Sequence, residues 1–359
     1  LSRGKLVPQI NSPTSAQFPT VFHSVRASAA QASDEAIPEG TVKVWRSKTD
    51  CDNACRWVDA QKMPLVLPAT VLDIGDSAFE DCDKLTSVIF TPDSELLIIG
   101  ELAFANTALS TFEVPNRVKR IEDYAFASHY YTRRTDRKLT SVTFTPDSEL
   151  RSIGRYAFAY TALKDITIPK LVKRIDDGTF AYCTELSAVS LAPESQLGTI
   201  GDDAFYKCGK LTTLGKLPAD IWKIGRGAFA YTALTSFDVP KDVVELGDYV
   251  FLGCEKLTTV NFAFSGQFQN FWRIGESAFE DTALTTFRVP GAVDSVGYHA
   301  FWGSQLTSVT FEDGTYGPPH QYFNTIGVGA FPFSQLDDES KRLLTGKAGR
   351  VCSSWGISG

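Results

Sequence analysis

From about residue 65 onward the apolar and polar positions fall into one pattern that keeps restarting. It reads Ile-Gly-x-x-Ala-Phe, and its phenylalanine falls at Phe79, Phe104, Phe126, Phe158, Phe180, Phe205, Phe229, Phe251, Phe279, Phe301 and Phe331. These are eleven units, mostly spaced 22 to 25 residues, with longer steps where loops are inserted. After each of the first ten comes Leu-x-x-apolar, usually with another apolar residue two further on, as in Leu85, Val88 and Phe90 or Leu139, Val142 and Phe144. A partial unit, Leu65, Leu67 and Pro68 before Val71 and Ile74, precedes them. No single unit can bury its own Leu, Val and Phe, whereas stacked neighbours share one continuous core. The pattern therefore predicts a repeat solenoid of mainly short parallel β-strands and turns, with about eleven coils between terminal caps. At roughly 4.8 Å per strand the stack is on the order of 50 Å long.

Two forms of the unit largely alternate. One is CDKLTSVIFTPDSELLIIG (82–100), echoed by LTSVTFTPDSELRSIG (139–154). The other is Thr-Ala-Leu-x-x-Phe-x-Val-Pro, starting at Thr107, Thr161, Thr232 and Thr282, with Ile-Thr-Ile-Pro closing the second copy. Proline suits the end of a strand, where its missing N–H costs no ladder bond. Over about residues 65–334 the chain closely resembles the leucine-rich repeats of the BspA type. That resemblance implies one short strand per repeat in a parallel sheet, with a second short extended segment behind. It also implies a surface adhesin or a protein-binding scaffold.

The third residue after each phenylalanine forms a further column: Cys82, Thr107, His129, Thr161, Cys183, Cys208, Thr232, Cys254, Thr282, Ser304 and Ser334. All but His129 are small side chains with one donor each. Turns buried between coils leave carbonyls that need partners, and a ladder of small donors can supply them. Free exchange of Cys with Thr and Ser fits an architectural role and excludes a nucleophile or a metal ligand at this position.

The ends of the chain read differently. Residues 1–33 carry Arg3, Lys5 and Arg26 but no acid. This matches either a remnant of an organelle transit peptide or a plain flexible leader, and residues 1–40 are read as an extended arm. Residues 41–64 read as an N-terminal cap holding Cys51 and Cys55, and 335–359 as a C-terminal cap with a helix over 334–346. Cys51 and Cys55 make a weak metal motif. Local thiols or one local disulfide suit them better, and a bond to Cys352 would have to join opposite ends of the stack.

Composition narrows the function. A net charge of −7 excludes the basic footprint of a nucleic-acid binder, and no apolar run approaches a membrane span. The histidines His23, His129, His299 and His320 sit at no ligand or triad spacing. No P-loop, GxGxxG, HExxH or GxSxG occurs, so no catalytic residue, cofactor or metal is expected. At the two positions after each repeat leucine, 17 of 20 residues are Ser or Thr. They are either a hydroxyl array for ice or glycan or ordinary exposed strand positions.

Insertions interrupt the repeat at three places. They carry Tyr130, Tyr131, Arg133, Arg134 and Arg137; Phe268, Phe271 and Trp272; and Tyr316, Tyr322 and Phe323. Tyr, Trp and Arg are the residue types that most often anchor interfaces. The expected function is a non-enzymatic scaffold for other protein chains. Its setting is either an accessory subunit of a large organellar complex, such as an algal plastid assembly, or a microbial cell-surface adhesin.

Overall fold

The computed structural model describes residues 65–128, 137–262, 273–291, 293–311 and 325–347. Each repeat contributes two short strands, β1 to β22 in chain order, and all the pairings among them are parallel. The even-numbered strands, from β2 (Asp73–Ile74) to β22 (Thr325–Ile326), are two residues long and form one unbroken eleven-stranded sheet. Each holds the aliphatic residue of the Ile-Gly motif, and Ile99, Ile153, Ile274 and Leu246 are fully buried.

The continuous sheet is thus built on the short Ile segments. The longer odd strands, which carry the leucine motif, form five separate sheets. These are β1 (Leu65–Leu67) with β3 (Val88–Phe90), and β5 (Thr111–Val114) with β7 (Ser141–Phe144). Next come β9 (Asp165–Ile168), β11 (Ala188–Leu191) and β13 (Thr213–Leu214). The last two pairs are β15 (Ser236–Val239) with β17 (Thr259–Phe262), and β19 (Thr286–Val289) with β21 (Ser308–Phe311). Every break falls where a proline-ended strand follows a strand without proline. Three of the four are bridged. Phe90 packs edge-on against Phe112 at 5.7 Å, Phe262 against Phe287 at 5.9 Å, and the Lys164 N–H donates to the Thr140 carbonyl at 3.2 Å.

The phenylalanines make the core. Their rings form one stack from Phe79 to Phe331, with successive centroids 5.0–5.7 Å apart and planes within 16° of parallel. Offset stacking at this spacing adds to the burial of each ring. The motif glycine follows from how closely the coils approach. A Cβ on Gly275 would stand 2.6 Å from the Asp248 nitrogen and from the Gly247 carbonyl of the preceding coil. Glu122 and Asp176 hold this place in two coils, each paired with the arginine two residues before it, Arg120 at 2.9 Å and Arg174 at 2.7 Å.

In the column of small donors, hydroxyls and thiols bond differently. Thr107, Thr161, Thr232, Thr282 and Ser304 each donate to the carbonyl of the phenylalanine three residues earlier, at 2.7–3.0 Å. The thiols of Cys183, Cys208 and Cys254 reach instead to Phe158, Phe180 and Phe229 of the coil before, at 3.0–3.1 Å. The Thr161 hydroxyl also meets the Cys183 sulfur at 3.2 Å. Burial pushes the Cys183 and Cys254 thiols up to about 11, so neither is a thiolate.

Two members of the expected ladder depart from it. Cys82 is disulfide-bonded and has no S–H to donate. Cys183, Cys208 and Cys254 are free, so the other half of that bond lies outside the described residues, as do Cys51, Cys55 and Cys352. Ser334 is exposed in a 3-10 turn, Phe333–Gln335, and makes no side-chain bond among the described residues, so the ladder ends at Ser304.

Beyond that turn, helix α1 spans Asp338–Lys347, starting later than expected because Asp337 caps it by accepting the Ser340 N–H at 2.7 Å. The Ser340 hydroxyl accepts from the Val309 N–H at 2.8 Å and donates to the Val309 carbonyl at 3.3 Å. One side chain thereby satisfies the last strand edge as a further strand would. The expected arm, the N-terminal cap and residues 348–359 lie outside the described residues.

Candidate functional site

The turn around each phenylalanine places the residue two before the ring in the left-handed region, and in nine of the eleven coils also the residue two after it. After the ring these include Tyr160, Tyr182, Lys207 and Tyr231, with φ of 61°, 61°, 58° and 59°. Such backbone positions cost a non-glycine residue on the order of 1–2 kcal/mol, so the stack that holds them is overdetermined. Successive coils therefore set their side chains one above another. Tyr160 stacks on Tyr182 at 4.3 Å, Tyr182 meets Tyr206 edge-on at 5.3 Å, and Tyr206 meets Tyr231 at 5.6 Å. The Lys207 ammonium lies 5.2–5.7 Å from the rings of Tyr182, Tyr206 and Tyr231, within reach of a cation–π attraction. Burial raises the Tyr206 and Tyr231 hydroxyls above their ordinary value, leaving both neutral near pH 7.

Arg137 joins this ladder. Its guanidinium sits 5.6 Å from the Tyr160 ring centre and donates to the Tyr182 carbonyl at 2.8 Å and the Thr184 hydroxyl at 3.1 Å. Further along, Tyr298, His299 and Trp302 stack on one another at 3.7 and 4.6 Å, with Tyr298 47% and Trp302 51% exposed.

Beside the ladder, Asp203 occupies the left-handed position two before Phe205, with φ of 54°. Burial, aided by the neighbouring Asp202, pushes its carboxyl up to about 6. The folded value exceeds the unfolded one, so the group is neutral in both states well below pH 4. It destabilises the fold progressively as pH rises from about 4 to about 6. Asp203→Asn keeps a residue that tolerates this backbone and removes the charge. We expect it to stabilise the protein at pH 7 by about 2 kcal/mol and to leave stability near pH 4 unchanged, as read from urea unfolding at both values.

Of the residues singled out in the insertions, only Arg137 is placed. Tyr130, Tyr131, Arg133, Arg134, Phe268, Phe271, Trp272, Tyr316, Tyr322 and Phe323 lie outside the described residues. Among the described residues no group of three or more His, Cys, Asp or Glu is placed to hold a metal, and no helix is long and apolar enough to cross a membrane. Tyr160, Tyr182 and Tyr231 stand two after the phenylalanine, in Phe-Ala-Tyr-Thr and Phe-Ala-Tyr-Cys, next to the donor column, whereas in Phe-Tyr-Lys-Cys that column holds Lys207 and Tyr206 stands one earlier.

The hydroxyl rows behave as structure. Thr140, Ser187, Thr212, Thr258 and Thr307 each donate to a carbonyl of the preceding coil at 3.1–3.4 Å. Those bonds occur only at junctions where the odd strands also pair, so the face is divided into segments and presents no continuous array.

The profile of one family, described as the BspA type leucine rich repeat region in six copies, matches residues 59–187, 134–223, 188–308 and 222–338. This chain belongs to the BspA-type leucine-rich repeat family. Members of the family are often cell-surface adhesins or interaction proteins, and its fold is generally non-enzymatic. No curated protein matches the chain. Among solved structures, a leucine rich cell surface protein from Faecalibacterium prausnitzii is similar at 21% identity and a TM-score of 0.37, over 70% of this chain and 80% of that one. A leucine-rich repeat protein from Bacteroides ovatus is 24% identical at a TM-score of 0.38, over 69% and 82%. One from Eubacterium ventriosum is 19% identical at 0.40, over 75% and 89%.

Proposed function

We propose that the solenoid is a non-enzymatic scaffold that binds other protein chains, and that the tyrosine ladder with Arg137 and Lys207 is a principal contact surface. The observation that carries this reading is the ladder itself. Tyr182, Tyr206 and Tyr231 form a preordered strip of rings with fixed cations, and Tyr231 is 41% exposed. Rigid aromatic side chains give contact area with little loss of conformational entropy on binding. The exposed Tyr298 and Trp302 extend the same kind of surface along the stack. The inserted loops add further anchors on this reading, since Arg137 at the end of the first of them already packs on Tyr160.

Two settings fit. The family habit supports an adhesin, and the acid-free first 33 residues support an accessory subunit of an organellar assembly. Crosslinking mass spectrometry in the native extract tests both. Crosslinks from Lys207 and the 127–138 region to a fixed set of subunits are the expected result, and we expect the double variant Arg137→Ala, Tyr231→Ala to weaken that association at least about tenfold. Crosslinks to surface receptors alone would select adhesion. A monomer without reproducible contacts would overturn the scaffold reading.

A further inference from the structure

One break between the odd strands is left open. Between β13 and β15 there is neither an aromatic bridge nor a backbone bond, and a cleft of about 850 Å3 lies there. Its cause is a departure in the repeat. Five residues after the motif leucine, the other coils whose strand does not end directly in proline place Phe90, Phe144, Leu191, Phe262 or Phe311, whereas this one, in LTTLGKLP, places Lys216. The bridging side chain is missing, and β13 stops after two residues.

Both walls are strand edges. The Thr235 carbonyl accepts from the Thr258 N–H, so alternate residues of β15 turn their main-chain groups toward β17, and those of Ser236 and Asp238 face the cleft. On the other wall Gly215 donates to the Val189 carbonyl, and Val189 lies opposite Leu214, which turns the main chain of Leu214 toward the cleft. At the end of the stack an equivalent edge is closed by the Ser340 hydroxyl on Val309, and no such group closes this one among the described residues. The lining alternates Leu214 and Phe237 with Thr213 and Ser236. Just past the ends of the two strands stand Lys216 and Lys241; Lys241 is ion-paired with Asp242 at 2.7 Å, and the lining carboxylate Asp238 is engaged by Asn261 at 2.8 Å. Lys216 has no ion pair among the described residues and is the cation left at the end of the cleft.

We propose that the cleft between β13 and β15 takes an extended segment of a partner protein as an inserted parallel strand, with alternating apolar and hydroxyl residues followed by an acidic tail. The proposal rests on the scaffold reading and specifies one partner chemistry for it. Main-chain groups on both walls supply affinity, the alternating lining supplies register, and Lys216 selects the residues that follow the strand.

The probe is a labelled synthetic peptide, LTSVTFTPDSEL, the sequence of residues 139–150, which has this alternation and this tail. Titrated into the whole chain, it is expected to bind saturably and to slow amide exchange at Leu214, Ser236 and Asp238. N-methylation of its valine or phenylalanine should weaken binding about fivefold or more, because each inserted amide bonds to one wall. Ser236→Pro should do the same while keeping the fold, since proline is tolerated where the N–H faces away from the bonded neighbour. Lys216→Glu should weaken the acidic peptide about tenfold and a peptide with Asn and Gln in place of Asp and Glu far less. Absence of binding, indifference to N-methylation and to Ser236→Pro, or protection at another edge such as β5 or β19 would each overturn the proposal. Concentration-dependent dimers blocked by Ser236→Pro would also overturn it, by naming a second copy as the occupant. Crosslinks on the tyrosine ladder alongside a silent cleft would leave the scaffold reading standing.

Discussion

Phe205→Ala should cost about 3–5 kcal/mol, close to the full stability of many domains, and should split unfolding into two transitions. The ring is fully buried between Phe180 at 5.4 Å and Phe229 at 5.5 Å, and no side chain can move in to fill the space without leaving its own coil. The loss therefore contains both the transfer term of the ring and a cavity term. Each coil touches only its neighbours, so weakening two adjacent interfaces in mid-stack uncouples the coils before Phe205 from those after it. Phe331→Ala removes a ring stacked on Phe301 alone and should cost less, with one transition retained. Phe205→Leu, which keeps most of the volume, should cost only about 1 kcal/mol. Urea unfolding followed by circular dichroism, with amide exchange to locate each transition, checks all three. Equal losses for Phe205→Ala and Phe331→Ala, or a single transition for both, would show that the stack folds as one cooperative block.

Much of this fold was legible because each repeated column serves one physical need. The phenylalanines form the ring stack, the motif leucines such as Leu211 and Leu257 are fully buried, and the Ile-Gly pair marks where strands pair and coils come closest. Other features depend on how adjacent coils meet. The odd and even strands carry similar alternation, so nothing in either run says which row pairs without interruption. Breaks in the odd row depend on contacts such as Phe90 on Phe112, between residues of different repeats. The donor column was readable, but a thiol reaching the preceding coil and a hydroxyl bonding its own turn depend on reach and geometry. Cys82 looks like any other rung by position, and only its bonding distinguishes it. Lys216 was the clearest signal left unused: a lysine where every other coil puts an apolar side chain. At the candidate site, Arg137 was legible as an insertion residue, while the tyrosines it packs against belonged to a column next to the one that drew attention.

Gly178→Ala should destabilise the protein by about 2–4 kcal/mol, and removing one ring from the neighbouring coil should recover part of that loss. Two costs add at this position. Gly178 has φ of +61°, where an alanine pays on the order of 1–2 kcal/mol. Its Cβ would also stand 2.1 Å from the Tyr156 ring, an overlap worth roughly 1–3 kcal/mol. Tyr156 is itself fixed by stacking on Tyr124 at 5.2 Å, so its ring can move only by giving up that contact. The same left-handed backbone carries Tyr156 and Tyr182, which shows that the stack can hold a side chain there when the coil before leaves room. The two costs separate in a double-mutant cycle. Tyr156→Ala alone loses the stacking. Combined with Gly178→Ala it should lose less than the sum of the single changes by about 1–2 kcal/mol, leaving only the backbone cost at residue 178. Strict additivity would place the whole penalty in the backbone. The neighbouring coil would then have no part in the choice of glycine, and the alternation of rings with glycines at Tyr231 and Gly253 would need a different cause.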